Sequence, residues 1–273
     1  MNLSSIKNIK YLLKKYRIQP SKGLGQNFLI DKAAVRKVVM AAELEDKDLV
    51  LEIGPGLGVL TEELAQKAKK VIAVEKDRKM MEIMKETLGN FNNIEVIQGD
   101  ILKSKLQIPD GYKVVANLPF YLTAPVIRKF LETENPPKEM ILIIQKEVGQ
   151  RITARPPEMS ILAVAVQVYS NPKIISYISK KSFWPQPKVD SAIIKITPLE
   201  KLLGVDYNKF FLVVKAGFSQ PRKQLANNLS KKLNLNRVKT EQWLSANSIQ
   251  PSQRAETLTL DDWIKLAKTI KIN

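Results

Sequence analysis

Three glycines between two apolar segments form the most distinctive motif of this 273-residue chain. An apolar run from Leu49 to Ile53 stops at Gly54, and a helical pattern resumes near Val59. The motif has the spacing Glu-x-Gly-x-Gly-x-Gly, which differs from a dinucleotide fingerprint and from a P-loop. A strand, a glycine turn and a helix in this order let the polar end of a ligand approach bare backbone at a helix N-terminus. A tight turn without a ligand would also explain the glycines, so the loop alone leaves both interpretations open.

Three polar residues lie at or just after the ends of later β-rich runs. They are Glu75, Asp100 and Asn117. An acidic residue about twenty positions after the glycine turn can accept hydrogen bonds from ribose hydroxyls. The carboxyl ends of parallel strands line one crevice, so we expect all three residues to lie close to the glycine loop. One acidic strand end is usually part of a solvated loop, whereas this set predicts a nucleoside-binding crevice.

Alternating strand and helix patterns predict the fold of the first 200 residues. Strands are expected at 49–53, 71–75, 94–98, 113–117 and 140–145, and helices at 32–42, 59–68, 79–87 and 123–131. This order is typical of a doubly wound α/β domain with a mostly parallel sheet. Residues 160–169 fit either a strand or a buried helix, and we favour the helix.

A hairpin with a long loop is predicted after residue 173. Its strands are residues 174–178 and 191–196, and the loop between them contains Phe183, Trp184 and two prolines. The loop is either a rigid connector or a support for an aromatic ring that stacks on a base.

The character of the sequence changes beyond Pro198. Helical periodicity appears at 207–218, 222–233, 238–247 and 260–270. We therefore predict a first domain at 1–200, with a basic N-terminal segment at 1–22, and a small all-helical domain at 201–273.

Composition excludes several classes of site. The chain has no cysteine and no histidine, so disulfides, thiolate chemistry, histidine triads and most zinc sites are excluded. The apolar runs are too short to span a bilayer, which predicts a cytoplasmic protein.

The net charge of +17 is concentrated at the two ends of the chain. Residues 1–37 have nine Lys or Arg against one acid, and residues 201–273 have thirteen against five. This segregation favours a polyanion, most simply nucleic acid, although basic surfaces can also serve solubility alone. The N-terminal residues have helical spacing, as in a surface helix or a mitochondrial transit peptide, and the scarcity of arginine argues against the transit peptide.

Six segments in this order resemble one enzyme family. They are Gly25–Leu29, Glu52–Gly58, Glu75, Gly99-Asp100, Asn117–Phe120 and Phe183–Ser191. Together they resemble the small-subunit (16S) rRNA adenine N6,N6-dimethyltransferases of the KsgA type. The resemblance extends from about Lys22 to Leu229 and implies a Rossmann-like methyltransferase domain followed by a helical RNA-binding domain.

The resemblance implies S-adenosylmethionine as the methyl donor. Asn27 and Leu29 would close over the donor, and Gly54 would let its methionine end approach the backbone. Glu75 would accept hydrogen bonds from the ribose hydroxyls, and Asp100 would accept from the adenine amino group.

The resemblance also implies an acceptor site around the Asn117-Leu118-Pro119-Phe120 motif, where the donor and acceptor nucleosides would meet. The Asn117 side chain and the Leu118 carbonyl would hold the exocyclic amine of adenine in a tetrahedral shape. Phe120 and Phe183 would stack on the flipped base. The implied reaction dimethylates adenines, two adjacent ones near the 3′ end of 16S rRNA, in a 30S subunit or its precursor during ribosome biogenesis.

The sequence differs from the family pattern at two places, and two other interpretations of its function are open. Phe120 replaces the tyrosine common in the family, and Arg155–Ser160 replaces a loop with glycine, serine and tyrosine. A large-subunit rRNA adenine methyltransferase of the antibiotic-resistance kind shares most of the motifs. A ribosome-assembly or transcription factor that has kept only the fold is the non-enzymatic alternative. We further expect a monomer with no metal and no membrane partner.

Overall fold

The computed structural model describes residues 2–20, 25–200 and 204–271. Residues 21–24, where the predicted glycine-flanked loop begins and the basic segment 1–22 ends, lie outside the described residues, as do the first residues of the predicted second domain. The chain divides into two compact units. One comprises Met1–Gly149 and Pro172–Pro198, and the other comprises Gln150–Asn171 and Leu199–Asn273.

Eleven α-helices, three 3₁₀-helices of three residues each and nine strands form the regular structure of the described residues. The helices are α1 (Ile6–Lys15), α2 (Lys32–Ala41), α3 (Val59–Ala65), α4 (Arg78–Leu88), α5 (Thr123–Leu131), α6 (Lys146–Ile152), α7 (Ile161–Gln167), α8 (Tyr207–Gly217), α9 (Leu225–Lys232), α10 (Arg237–Ala246) and α11 (Leu260–Thr269). The strands are β1 (Phe28–Leu29), β2 (Leu49–Ile53), β3 (Lys70–Glu75), β4 (Ile94–Gln98), β5 (Lys113–Asn117), β6 (Glu139–Gln145), β7 (Ser170–Ile178), β8 (Phe183–Trp184) and β9 (Ser191–Pro198).

Seven strands form one mixed sheet in the order β4-β3-β2-β5-β6-β9-β7. The pairs from β4 to β6 are parallel, and β9 is antiparallel to β6. The order of the strands reverses at β2, which pairs with β3 on one side and with β5 on the other. Such a switch point opens a crevice at the carboxyl ends of the strands. The predicted Rossmann-like, mostly parallel sheet is confirmed.

Apolar side chains explain why the central strands are buried along their whole length. Every residue of β6 except the last is buried, as expected when both faces of a parallel sheet are covered. In one cluster, Val38 of α2 and Leu64 of α3 pack with Val50, Val115 and Ile141 of the sheet. Helix starts follow local chemistry, as at α2, where the Asp31 side chain accepts hydrogen bonds from the first backbone N–H groups.

The second unit is a helical cluster built around α8, α9 and α11. Its buried core includes Phe210, Leu229 and Trp263. Ala163 and Val164 of α7 belong to the same core, which confirms the helix over the ambiguous residues 160–169.

The compact units differ from the predicted domains at residues 150–171. The predicted boundary near residue 200 assigns this segment to the first domain, whereas its contacts assign it to the helical unit. The physical reason is the apolar face of α7, which is buried among the C-terminal helices. Within the described residues, no helix has both the length and the hydropathy that a membrane span requires.

A buried lysine joins the amino ends of β2, β5 and β6. The Lys113 side chain is 3% exposed. Its ammonium lies within hydrogen-bonding distance of four oxygens: Asp48 Oδ2 at 3.1 Å, Glu139 Oε1 at 3.0 Å, and the carbonyls of Ala42 and Glu43 at 2.8 Å each. Glu139 also pairs with Lys195 of β9 at 2.7 Å. This network therefore fixes the end of the sheet opposite to the crevice.

We expect Lys113→Met to lower the free energy of unfolding by about 3–5 kcal/mol, because it leaves the buried Asp48 and Glu139 carboxylates short of their partner. Chemical denaturation measures this loss. The matched control is Lys47→Met, which removes an exposed ion pair with Glu45 and should cost less than about 1 kcal/mol. Equal effects of the two substitutions would contradict a structural role for the buried network.

Candidate active site

The glycine loop forms the floor of a pocket at the carboxyl ends of β2 and β5. Gly54 donates its N–H to the Val74 carbonyl at 3.0 Å, which fixes the loop against the end of β3. Gly54 has a φ of +66°, and a Cβ at this position would meet no atom within 4 Å. A side chain here would therefore extend into open pocket space, so glycine leaves room for a ligand beside the backbone.

Glu75 is held in place by two backbone donors. Its Oε2 accepts from Gly56 N–H at 3.1 Å, and its Oε1 accepts from Asp77 N–H at 2.8 Å. Burial raises the pKa of the Glu75 carboxyl, and these N–H groups oppose the shift. Each carboxylate oxygen can accept a second hydrogen bond, so the group can still receive hydroxyls from a ligand in the pocket.

Asp100 is paired with a lysine. Its Oδ2 lies 3.1 Å from Lys76 Nζ, and its Oδ1 accepts from Leu102 N–H at 3.0 Å. The hydrogen bond from Lys76 lowers the pKa of the Asp100 carboxyl. The group is therefore ionised at neutral pH, and a ligand amino group would share Oδ2 with Lys76.

Asn117 ends β5 and contacts the N-terminal loop. Its side-chain nitrogen donates to the Asn27 carbonyl at 3.1 Å. Because only the NH₂ group can donate to a carbonyl, this bond determines which side of the amide carries Oδ1. The Asn27 side chain donates to the Gly25 carbonyl at 3.2 Å, so it is the Asn27 backbone that supports Asn117.

A two-stranded sheet joins the N-terminal loop to the loop that carries Phe183. β1 is antiparallel to β8, with Phe28 opposite Trp184 and Leu29 opposite Phe183. The Ser182 hydroxyl also donates to Asp31 at 2.8 Å. This pairing was not predictable from residue patterns, because two-residue strands have no recognisable period.

Gly25 lets the N-terminal loop lie directly on the Asn117–Phe120 turn. Gly25 has a φ of +61°, and a Cβ added there would lie 3.1 Å from the Pro119 Cβ. The approach is so close that a larger residue would push the loop away from Pro119.

The two predicted stacking residues differ in accessibility. Phe120 is half-buried at the pocket wall, whereas Phe183 is only 4% exposed and packs in the apolar core. Phe120 therefore presents the more accessible ring, and Phe183 supports the wall beside it. Tyr121, which follows in the chain, is 53% exposed and also lines the pocket.

All ten predicted site residues line this one pocket. They are Asn27, Leu29, Gly54, Glu75, Asp100, Asn117, Leu118, Pro119, Phe120 and Phe183. The lining also includes three residues that were not predicted as site residues, Phe28, Lys76 and Glu52, although Glu52 is the acidic residue of the glycine motif itself.

Glu52 is an acidic group buried at the pocket. It is 1% exposed, and its Oε2 has no hydrogen-bond partner among the described residues. Burial raises the pKa of the Glu52 carboxyl to about 8, and the nearby Thr61 hydroxyl acts in the opposite direction. The free protein therefore holds Glu52 mostly protonated near neutral pH, and a cationic group of a ligand bound beside this carboxyl would favour loss of the proton.

Comparison with known proteins identifies the family. Residues 18–271 match the family model described as Ribosomal RNA adenine dimethylase. The chain belongs to this family. The resemblance inferred from the motifs is confirmed, and the class of enzyme with it.

Three relatives illustrate the similarity. Ribosomal RNA small subunit methyltransferase A of Dehalococcoides mccartyi is 41% identical over 263 residues, which cover 94% of this chain and 90% of the relative. The crystal structure of a dimethyladenosine transferase from Plasmodium falciparum has a TM-score of 0.74 at 28% identity and covers 86% of this chain and 94% of that one. The crystal structure of the 23S rRNA methyltransferase ErmE also has a TM-score of 0.74, at 25% identity, and covers 89% and 98% of the two chains.

Family membership supports S-adenosylmethionine as the methyl donor. The pocket fits this molecule, because it combines open space at Gly54, an ionised Asp100 and an unpaired buried Glu52. The donor has a positive sulfonium and a positive ammonium group, and Glu52 would complement this charge once it releases its proton on binding.

We expect Glu52→Gln to reduce the pH dependence of stability. The pKa of Glu52 is raised from an ordinary 4.5 to about 8 in the folded protein. Between these values the folded state holds a proton that the unfolded state has lost, so stability falls as the pH rises. Glutamine stays uncharged, so the melting temperature of the variant should fall less between pH 5 and pH 8, by a few degrees.

The control for this experiment is Glu134→Gln, which changes an exposed glutamate. Its melting curve should follow that of the wild type at every pH. Parallel pH profiles for Glu52→Gln and the wild type would show that the Glu52 carboxyl does not retain its proton.

Proposed function

We propose that this chain transfers methyl groups from S-adenosylmethionine to the exocyclic amino group of adenines in small-subunit rRNA. The observation that carries the proposal is the Asn117 side chain. Its amide is oriented by the Asn27 carbonyl and lies at the wall shared by the donor pocket and the Asn117–Phe120 turn.

The donor side of the pocket would hold S-adenosylmethionine through residues from the glycine loop and the ends of β3 and β4. Gly54 leaves space for the methionine end, Glu75 accepts from the ribose hydroxyls, and Asp100 accepts from the adenine amino group. Asn27 and Leu29 cover the donor from the N-terminal loop. When bound, the donor supplies an electrophilic methyl group on sulfur.

The acceptor side must restore the nucleophilicity of an amine whose lone pair is delocalised into the adenine ring. Asn117 Oδ1 and the Leu118 carbonyl accept the two amine hydrogens and favour a tetrahedral nitrogen. Pro119 stiffens the turn, and Phe120 stacks on the flipped base with Phe183 behind it. Attack on the methyl group depends on positioning rather than on an acid or base, which agrees with a chain that has no histidine.

The small subunit is favoured over the large one as the substrate particle. The relative named for the small subunit is 41% identical, whereas ErmE, named for 23S rRNA, is 25% identical. The structure of ErmE and that of the dimethyladenosine transferase have the same TM-score of 0.74. This value reflects a shared fold and does not distinguish small-subunit from large-subunit rRNA as the substrate. A 16S rRNA substrate in a 30S particle, action as a monomer and a cytoplasmic location remain predictions.

Basic residues at both ends of the chain support a polyanionic substrate. Exposed cations occur on α1 and around α9: Lys7, Lys10, Lys14, Arg222, Lys223, Lys231 and Lys232. α1 buries Ile9, Leu12 and Leu13 and leaves its lysines in solvent, which agrees with a surface helix. We infer that the methyltransferase domain selects the target adenine, while these ends, including the C-terminal helical domain, contribute most of the affinity for rRNA phosphates.

Transfer of labelled methyl groups to purified 30S and 50S particles tests the proposal. We expect label in the small-subunit rRNA alone, on adenines, as mapping of the modified nucleotides would show. Label in the 50S particle would favour the antibiotic-resistance class. Glu75→Ala should abolish the transfer by weakening donor binding, which calorimetry measures independently. If the wild type neither binds the donor nor transfers a methyl group, the protein is a non-catalytic factor.

A further inference from the structure

A cluster of half-buried and exposed side chains lies beside the pocket and takes no part in the proposed methyl transfer. We define the β7 rim as Lys146, Tyr177, Lys180, Lys188 and Val189. Tyr177 is 48% exposed and Val189 is 44% exposed, so both present apolar surface to solvent. β7 is the last strand of the seven-stranded sheet, so this surface lies at an open edge.

Hydrogen bonds hold the β7 rim together. The Lys146 ammonium lies 5.0 Å from the centre of the Tyr177 ring. Asp190 connects two of the lysines, since its carbonyl accepts from Lys146 N–H at 3.0 Å and its Oδ1 accepts from Lys180 N–H at 2.9 Å. The backbone that carries the rim is therefore fixed before any partner binds.

The β7 rim adjoins the wall of the pocket. Lys188 follows Pro187, and Asp190 precedes Ser191, and both Pro187 and Ser191 line the pocket. Ser191 is paired with Gln145 in the sheet, so Lys146 begins at the same level. A chain that leaves the pocket past Ser191 would meet Lys146 and Tyr177 next.

The charge of the β7 rim is positive. Lys146, Lys180 and Lys188 form no ion pair with any residue in the described part of the chain. The acids closest in sequence are Glu147 and Asp190, and Asp190 accepts the backbone hydrogen bonds described above. The surface therefore combines ammonium groups that lack an ion-pair partner among the described residues with a half-exposed aromatic ring.

We propose that the β7 rim binds the single-stranded RNA next to the target adenine, with a neighbouring base stacked on Tyr177 and its phosphate neutralised by Lys146. This inference rests on the proposed function, because it requires an RNA that enters the pocket. Unpaired bases stack on aromatic side chains, and lysines beside the ring neutralise the backbone. Lys146 covers the ring in the free protein, so its ammonium moves from the ring face to the phosphate when RNA binds.

The test measures how tightly the wild type and three variants, Tyr177→Ser, Tyr177→Phe and Lys146→Gln, bind two targets. One target is the whole small-subunit particle, and the other is the protein-free small-subunit rRNA. Tyr177→Ser should weaken both interactions about tenfold, because it removes the stacking surface. Tyr177→Phe should bind like the wild type. Lys146→Gln should reduce the slope of log affinity against log salt by about 0.7, the value for one phosphate contact on a single strand.

Matched controls come from the opposite end of the sheet. Met40 is 75% exposed and Lys67 is exposed, and both lie near the amino ends of the strands. Met40→Ser and Lys67→Gln should leave RNA affinity and its salt dependence unchanged. Donor affinity and melting temperature should be the same in all five variants, which excludes a general loss of structure.

Wild-type affinity and salt slope in both Tyr177→Ser and Lys146→Gln would overturn the proposal. A loss confined to whole particles would also overturn it, since the rim would then contact a ribosomal protein. Because binding is measured without methyl transfer, a wild type that binds RNA at the rim but transfers no methyl group would count against the proposed function alone.

Discussion

The hydrogen bond from the Asn117 side chain to the Asn27 carbonyl joins the two halves of the site. It connects the end of β5 to the N-terminal loop over 3.1 Å and leaves Asn117 Oδ1 as the acceptor. The same loop pairs with the Phe183 segment through β1 and β8 and lies on Pro119 at Gly25. A displacement of this loop would therefore disturb the donor cover, the orientation of the amide and the wall of the acceptor site together.

The sheet gives this arrangement a rigid base. Parallel pairing of β2 with β3 and β5 places the glycine loop, Glu75 and Asn117 together at the carboxyl ends of these strands. At the amino ends of the strands, Lys113 joins the starts of β2, β5 and β6 through buried carboxylates and carbonyls. One end of the sheet is thus stabilised by satisfied buried charge, while the other leaves Glu52 unpaired beside the pocket. An unpaired carboxyl at the pocket agrees with a site in which polar groups gain their hydrogen-bond partners when a ligand binds.

Local patterns predicted the sheet and the position of the site well. The strands at 49–53, 94–98 and 113–117 have the predicted bounds, because short β-rich runs end at glycine, asparagine or acidic residues. Long-range packing was not predictable in the same way. The membership of residues 150–171 in the helical unit depends on contacts of α7 with C-terminal helices, and the β1–β8 pairing depends on residues about 155 positions apart. The ion pair of Lys76 with Asp100 and the burial of Glu52 likewise follow from the folded geometry alone.

The most direct test of the central claim is the single-turnover rate of methyl transfer by Asn117→Ala, with saturating donor and pre-bound small-subunit particles. The substitution removes the oriented acceptor, so we expect the rate to fall at least about a hundredfold. Asn117→Asp, which keeps an acceptor oxygen but cannot donate to the Asn27 carbonyl, should give an intermediate rate. Donor affinity and particle affinity should change less than about twofold in either variant, because the β1–β8 pairing and the Ser182–Asp31 hydrogen bond still hold the N-terminal loop in place. A wild-type rate for Asn117→Ala would contradict the claim that this amide prepares the amine for attack.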